Sequence, residues 1–171
     1  VLVGAGAVGR PLAEHLAFLG MKRCVIADPK RYKPQSRVSQ CEPGEVGRFK
    51  AEVLADRLVR LGVDAQAIVE DIASVPPGII EPESLVLVSV DNRRADIAAG
   101  RLAAMMRSRL LKVNVAPEYL MASIRAYDLR ADVVPLCLEC QMTEEQYRDQ
   151  HHPLSCDGGP EQPTGSPRAL C

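Results

Sequence analysis

Val1-Leu-Val-Gly4-Ala-Gly6-Ala-Val-Gly9 opens the chain. Three apolar residues, a buried-type strand, run directly into closely spaced glycines. Apolar residues then recur at Val8, Leu12, Leu16 and Leu19, the spacing of one helix face, until Gly20 closes the run. Strand, glycine turn and helix in that order form a nucleotide-binding unit. Gly4 permits the tight turn, Gly6 lets a phosphate approach the backbone, and Gly9 lets helix and sheet pack closely. Unpaired N–H groups and the helix dipole favour an anion there. The same residues also allow a tight turn with no ligand. Asp28 ends the next apolar segment, nineteen positions after Gly9. A carboxylate at that place can accept both ribose hydroxyls and repels a 2′-phosphate, which disfavours NADP. The plainer role for Asp28 is to cap the loop that follows.

Working outward, Arg23–Ala27 is a second strand, followed by a polar, proline-containing loop over 29–43. Val46, Phe49, Val53, Leu54, Leu58 and Leu61 predict a helix over Glu45–Leu61, stopped by Gly62. A strand over Ala65–Val69, a Pro/Gly-rich loop over Ser74–Glu83 and the strongly apolar strand Leu85–Val90 come next. A helix over Arg93–Met106 and a strand over Leu110–Val115 follow. This alternation predicts an α/β, Rossmann-like fold: an open, mostly parallel sheet with helices on both faces. Met121–Leu129 alternates apolar and polar residues and predicts an antiparallel extension. Beyond it, Gln141–Cys156 is polar with room for one short helix, and Asp157–Pro167 reads as an exposed loop. Residues 1–171 are read as one nucleotide-binding domain, with 130–171 a zinc and crossover-loop region.

The composition, 47% hydrophobic and 25% charged, is that of a globular domain. A formal net charge of -1 leaves no basic footprint for nucleic acid or an anionic membrane, and no apolar run is long enough to span a bilayer. The start within a strand at Val1 and the stop at Cys171 read as an internal fragment of a longer chain. Six cysteines (Cys24, Cys41, Cys137, Cys140, Cys156 and Cys171) in a chain of 171 residues are too few for a disulfide scaffold and favour a cytoplasmic protein. Cys24 lies in an apolar strand and reads as core. Cys137-Leu-Glu-Cys140 has the spacing with which two thiolates bite one zinc ion. A redox pair is the rival reading, though no thioredoxin-like pattern surrounds it.

Four stretches together resemble the ThiF/MoeB/HesA family of ubiquitin-activating-type adenylyltransferases. They are Glu45-Val-Gly-Arg-Phe-Lys50, Ser89-Val-Asp91-Asn92, Cys137-Leu-Glu-Cys140 and Ser155-Cys156, the last preceded by Thr143, Glu144, Glu145 and Tyr147. Taken alone, Lys50 reads as a solvated surface lysine and Asp91 as a cap for the helix that follows. The resemblance implies that Lys50 contacts the ATP phosphates and that the Asp91-Asn92 pair serves Mg2+ and ATP. It further implies structural Zn2+ at Cys137 and Cys140, whose remaining ligands lie beyond this chain. In some members a cysteine placed like Cys156 forms a thioester or persulfide, and His151 or His152 stands near enough in sequence to help deprotonate it. Where the family's nucleotide loop reads Ser-Asn-Leu-x-Arg-Gln, counting back from Lys50 puts Arg37 on its Arg and Val38 on its Gln. The loop from Asp28 to Arg37 is then about two residues shorter than the family's.

The implied activity is ATP-dependent adenylation of the C-terminal carboxylate of a small ubiquitin-like or sulfur-carrier protein ending in Gly-Gly, by an enzyme that works as a dimer. Arg37, Lys50, Asp91 and Cys156 are the expected catalytic residues. Gly4, Gly6, Gly9, Asp28 and Asn92 complete the nucleotide contacts. Two other readings stay open: an NAD-dependent oxidoreductase, which accounts for the glycines and Asp28 but not for Lys50 or the cysteine pair, and a non-catalytic scaffold subunit.

Overall fold

A computed structural model describes residues 1–38, 40–82, 84–116, 121–130 and 137–148. Its elements run β1 (Leu2–Val3), α1 (Gly9–Phe18), β2 (Arg23–Ala27), α2 (Lys50–Arg60), β3 (Asp64–Ile68), β4 (Leu85–Val88), α3 (Arg93–Met105), β5 (Arg109–Ala116), β6 (Met121–Asp128) and α4 (Glu144–Arg148). Short 3-10 turns occupy Pro34–Val38 and Pro43–Glu45 in the loop between β2 and α2. The six strands form one sheet in the order β3-β2-β1-β4-β5-β6. All neighbours are parallel except β5 and β6, which pair antiparallel along their whole length from Arg109↔Asp128 to Ala116↔Met121. The open, mostly parallel sheet with an antiparallel extension is therefore present as expected.

Period-two alternation in the strands divides the core in two. Leu2, Cys24, Ile26 and Leu87 point to the face covered by α1 and α2, where Ala13, Leu54 and Leu58 pack. Val3, Ala27, Val86 and Val88 point to the opposite face, against Ala95, Ala99 and Leu102 of α3. Helices thus cover both faces, and the switch from β1–β2 to β1–β4 leaves a crevice at the carboxyl ends of the central strands. Ligands bind at such a reversal of strand order.

One element begins later than its hydrophobic pattern suggests. The helix expected over Glu45–Leu61 starts at Lys50. Gly47 has φ +87, a left-handed conformation that no α-helix accommodates. The segment before Lys50 instead pairs with the chain leaving β2. Tyr32 N–H bonds the carbonyl of Arg48, Gly47 N–H that of Tyr32, and Lys50 N–H that of Lys30, all within 3.0 Å. Val46 and Phe49 carry helical spacing but precede the helix: Val46 follows the Pro43–Glu45 turn and Phe49 bridges Arg31.

The glycine turn is built on missing side chains. Gly4 has φ +94, and a Cβ there would stand 2.9 Å from the carbonyl oxygen of Ser89. A Cβ on Gly9, the first residue of α1, would lie 2.0 Å from the carbonyl oxygen of Gly4. Ser89 Oγ donates a 2.9 Å hydrogen bond to that same carbonyl, locking the turn to the end of β4. Gly9→Ala should therefore destabilise the protein by about 3 kcal/mol, at the upper end for overpacking. Gly44→Ala, where an added Cβ meets nothing within 4 Å, should stay within about 0.5 kcal/mol. Denaturant midpoints of the two variants check this, and equal midpoints would contradict the packing described.

Candidate active site

The carboxyl ends of β1, β2, β4 and β5 open into a cleft of about 700 Å3. At its floor, a Cβ on Gly6 would find nothing nearer than Gln40 Oε1 at 3.9 Å, so the backbone there faces open space. Asp28, only 6% exposed, ties the end of β2 to the turn. Its Oδ2 accepts from Ala5 N–H at 2.8 Å and its Oδ1 from Lys30 N–H at 2.8 Å. Asp28 thus caps its loop and lines the cleft together. Each oxygen keeps a lone pair for a further donor such as a ribose hydroxyl.

Lys50 is not the solvated lysine its sequence context alone suggests. It is 5% exposed. Its Nζ donates to Gln40 Oε1 at 2.9 Å and lies 5.5 Å from the centre of the Tyr32 ring. Both neighbours are neutral, so a buried ammonium borders the cleft with no carboxylate paired to it among the described residues. Such a charge is costly unless an anion joins it. Gln40 stands between this ammonium and Gly6, and nothing in the sequence reading singled it out.

The arginine expected at the phosphates is elsewhere. Arg37 sits on the 3-10 turn Pro34–Val38 with its side chain exposed, and it does not line the cleft. Its neighbour Ser36 is the buried residue of that turn, its Oγ accepting from Lys33 N–H. Val38, aligned to the family's Gln, is 90% exposed. From this loop it is Gln40, not Arg37, that lines the cleft.

A buried charge pair holds this loop in place. Arg10, on the first turn of α1, donates to Glu45 Oε2 at 2.7 Å, to Glu45 Oε1 at 3.2 Å, to the carbonyl of Gln40 at 2.8 Å and to the Tyr32 hydroxyl at 3.3 Å. Arg57 reaches in from α2 to Glu14, Glu42 and Glu45. The segment that carries Gln40 and Lys50 is thereby clamped to the helix that opens with the glycine turn. Neither Arg10 nor Glu45 stands out in the sequence as a pair, because they are 35 positions apart.

At the end of β4, Asn92 rather than Asp91 caps the helix. Asn92 Oδ1 accepts from Arg94 N–H at 2.9 Å and Ala95 N–H at 3.4 Å, which opens α3. Asp91 is thus left to the cleft, where its Oδ1 lies 3.5 Å from Lys30 Nζ. Behind it, Lys112 of β5 is 4% exposed, bonded to Asp96 of α3 and, at 2.8 Å, to the carbonyl of Val90. Burial pushes the Asp96 carboxyl up, opposed by the Lys112 charge.

Cys137 and Cys140 lie together outside the residues that line the cleft, with Cys140 N–H bonded to Cys137 Sγ at 3.3 Å. Among the described residues no group of three or more His, Cys, Asp and Glu is placed to hold a metal. Cys156, His151 and His152 lie outside the described residues. Among the described residues no helix is long and apolar enough to cross a membrane.

A mostly parallel sheet with a glycine turn at its switch point, a carboxylate at the end of β2 and a buried lysine beside the turn make this an α/β, Rossmann-like domain. The chain belongs to the ThiF family, whose match spans residues 1–156. A solved structure of E. coli MccB with succinimide is similar at a TM-score of 0.66 and 18% identity, covering 86% of this chain and 45% of that one. TcdA (CsdL) is similar at 0.58 and 23%, covering 67% and 48%. E. coli MccB with AMPCPP and MccA is similar at 0.57 and 15%, covering 67% and 36%. These likenesses show a shared fold, and this chain spans about half or less of the length of each. A search of curated proteins found no match.

Glu45 gives the site a pH dependence. Burial works to raise its pKa, but hydrogen bonds from Arg10 and from Glu42 N–H, with the charges of Arg10 and Arg57, hold the carboxyl below its ordinary value. A depressed carboxylate contributes stability that is complete above its unfolded pKa, about 4.3, and is lost as the pH falls through the folded value. Glu45→Gln should cost about 3 kcal/mol at neutral pH by stranding Arg10. It should also flatten the loss of stability below about pH 4.3. Melting curves taken from neutral pH down to about pH 3 test this, and parallel curves for wild type and variant would contradict it.

Proposed function

We propose that the whole protein is an ATP-dependent adenylyltransferase that activates the C-terminal carboxylate of a small ubiquitin-like or sulfur-carrier protein ending in Gly-Gly. The observation that carries this reading is Lys50, buried beside an open glycine turn with no carboxylate paired to it among the described residues. A triphosphate laid over Gly6 supplies the missing negative charge. That a solved structure of MccB holds AMPCPP, a methylene analogue of ATP, supports the choice of nucleotide.

The residues divide the work as follows. Backbone N–H groups of the glycine turn and the amino end of α1 receive phosphate oxygens. Asp28 accepts from the ribose, and Asn92 fixes α3 so that Asp91 faces the cleft. Mg2+, which suits the hard carboxylate of Asp91, would neutralise phosphate charge when bound there. An oxygen of the carrier's carboxylate attacks the α-phosphorus, the bond to pyrophosphate breaks, and the carrier leaves as an acyl-adenylate. The nucleophile is already ionised and needs no base, so catalysis is positioning and charge stabilisation, with Lys50 countering charge on the departing pyrophosphate. Cys137 and Cys140 would supply two of four thiolates to a structural zinc whose other ligands lie outside the described residues. A homodimer in the cytoplasm completes the proposal.

Exchange of labelled pyrophosphate into ATP tests the reading. With Mg2+ and a Gly-Gly-ending carrier, the full-length protein should exchange label only when carrier is present. Lys50→Ala should reduce the rate about 100-fold or more, as loss of one charge-stabilising donor does. Carrier-independent tight binding of NADH, with no exchange, would overturn the proposal.

A further inference from the structure

Lys30 was no part of the expected site, yet its backbone is among the best anchored at the cleft. Its N–H is held by Asp28 Oδ1 at 2.8 Å, and its carbonyl accepts from Lys50 N–H at 2.9 Å. The residue is thus fixed between the ribose-side carboxylate and the first residue of α2, leaving only the side chain to move. That side chain leaves the end of β2 and reaches Asp91 at the end of β4. β1 and its glycine turn lie between these two strands. The ammonium therefore spans the floor on which a phosphate would rest.

The ion pair it makes is a loose one. Nζ and Oδ1 are 3.5 Å apart, and the side chains are 40% and 35% exposed. Pairs of this kind are worth about 0–1 kcal/mol. The other cleft lysines are held differently: Lys50 is buried against neutral groups, and Lys112 is committed to Asp96 and the Val90 carbonyl. Arg37 lies outside the cleft; Arg93 and Arg125 line it, Arg125 bonded to Gln141, and Lys30 sets a part-exposed ammonium on a fixed stem.

Resting on the nucleotide reading above, we propose that Lys30 is a phosphate ligand that pairs with Asp91 in the nucleotide-free protein and exchanges partners on binding. A divalent cation at Asp91 repels the ammonium from its carboxylate, and the phosphate beside it offers a doubly charged partner in its place. Lys30 thereby takes the charge role that the resemblance implies for Arg37.

Two titrations of the full-length protein test this. Calorimetry with Mg·ATP should show Lys30→Met binding about 10-fold more weakly than wild type, with Lys30→Arg within about threefold. Mn2+ alone, followed by its electron paramagnetic resonance signal, should bind Lys30→Met about threefold more tightly than wild type, because a competing cation has been removed from Asp91. A merely structural lysine would not move the two affinities in opposite directions. Unchanged ATP affinity in Lys30→Met, with wild type binding ATP, overturns the role of Lys30 and leaves the nucleotide reading standing. Unchanged or weaker Mn2+ binding overturns the exchange. Failure of wild type to bind ATP removes both readings.

Discussion

Everything at the carboxyl edge of this sheet depends on an approach that only glycine permits. The first residue of α1 lies so close to the Gly4 carbonyl that a Cβ would be 2.0 Å from it. That contact sets the distance of the helix from β1, points its amino end across the carboxyl edge of the sheet, and brings Arg10 into reach of the loop that follows β2. Ser89 Oγ bonds the same carbonyl from β4. Three elements therefore meet at one oxygen, and the cleft takes its position from that meeting.

Charge then decides what the cleft is for. Arg10 and Glu45 are buried together and satisfy each other, as are Lys112 and Asp96. Breaking such pairs is expensive, which makes them structural anchors. Lys50 is buried on equal terms but meets a side-chain amide and an aromatic ring. Lys30 is paired but exposed. The gradient from committed to uncommitted charge runs from the loop clamp toward the glycine turn, and a phosphate chain laid there would meet the cations that lack strong partners. The ThiF family match over residues 1–156 agrees with this arrangement.

The fold was legible in the sequence because its cause is local: alternating apolar strands and 3.6-period helices, with Gly4, Gly6 and Gly9 marking the turn. Strand order follows from right-handed crossovers on both faces. The start of α2 was not legible, since Val46 and Phe49 have helical spacing while a single left-handed Gly47 redirects the chain. Asp28 was read from its place at a strand end, whereas Lys50 and Asp91 were reached only through the resemblance; all three line the cleft. Gln40, Arg10 and Glu45 were not, because their meaning lies in contacts across the loop that no short motif encodes. Arg37 was placed by counting residues back from Lys50, and counting along a loop does not show which of its side chains turn into the cleft. Lys112 and Asp96 sit inside apolar runs, where pattern reading sees only strand and helix.

The central claim is that the open floor between Gly6, Gln40 and Lys50 receives the phosphates of ATP. Backbone amide spectra of the full-length protein titrated with Mg·ATP and, separately, NADH test it most directly. Saturable shifts at Ala5 to Gly9, Lys30 and Gln40 with ATP, and none with NADH, are the predicted result. Silence of those amides toward ATP, or their saturation by NADH, would contradict it.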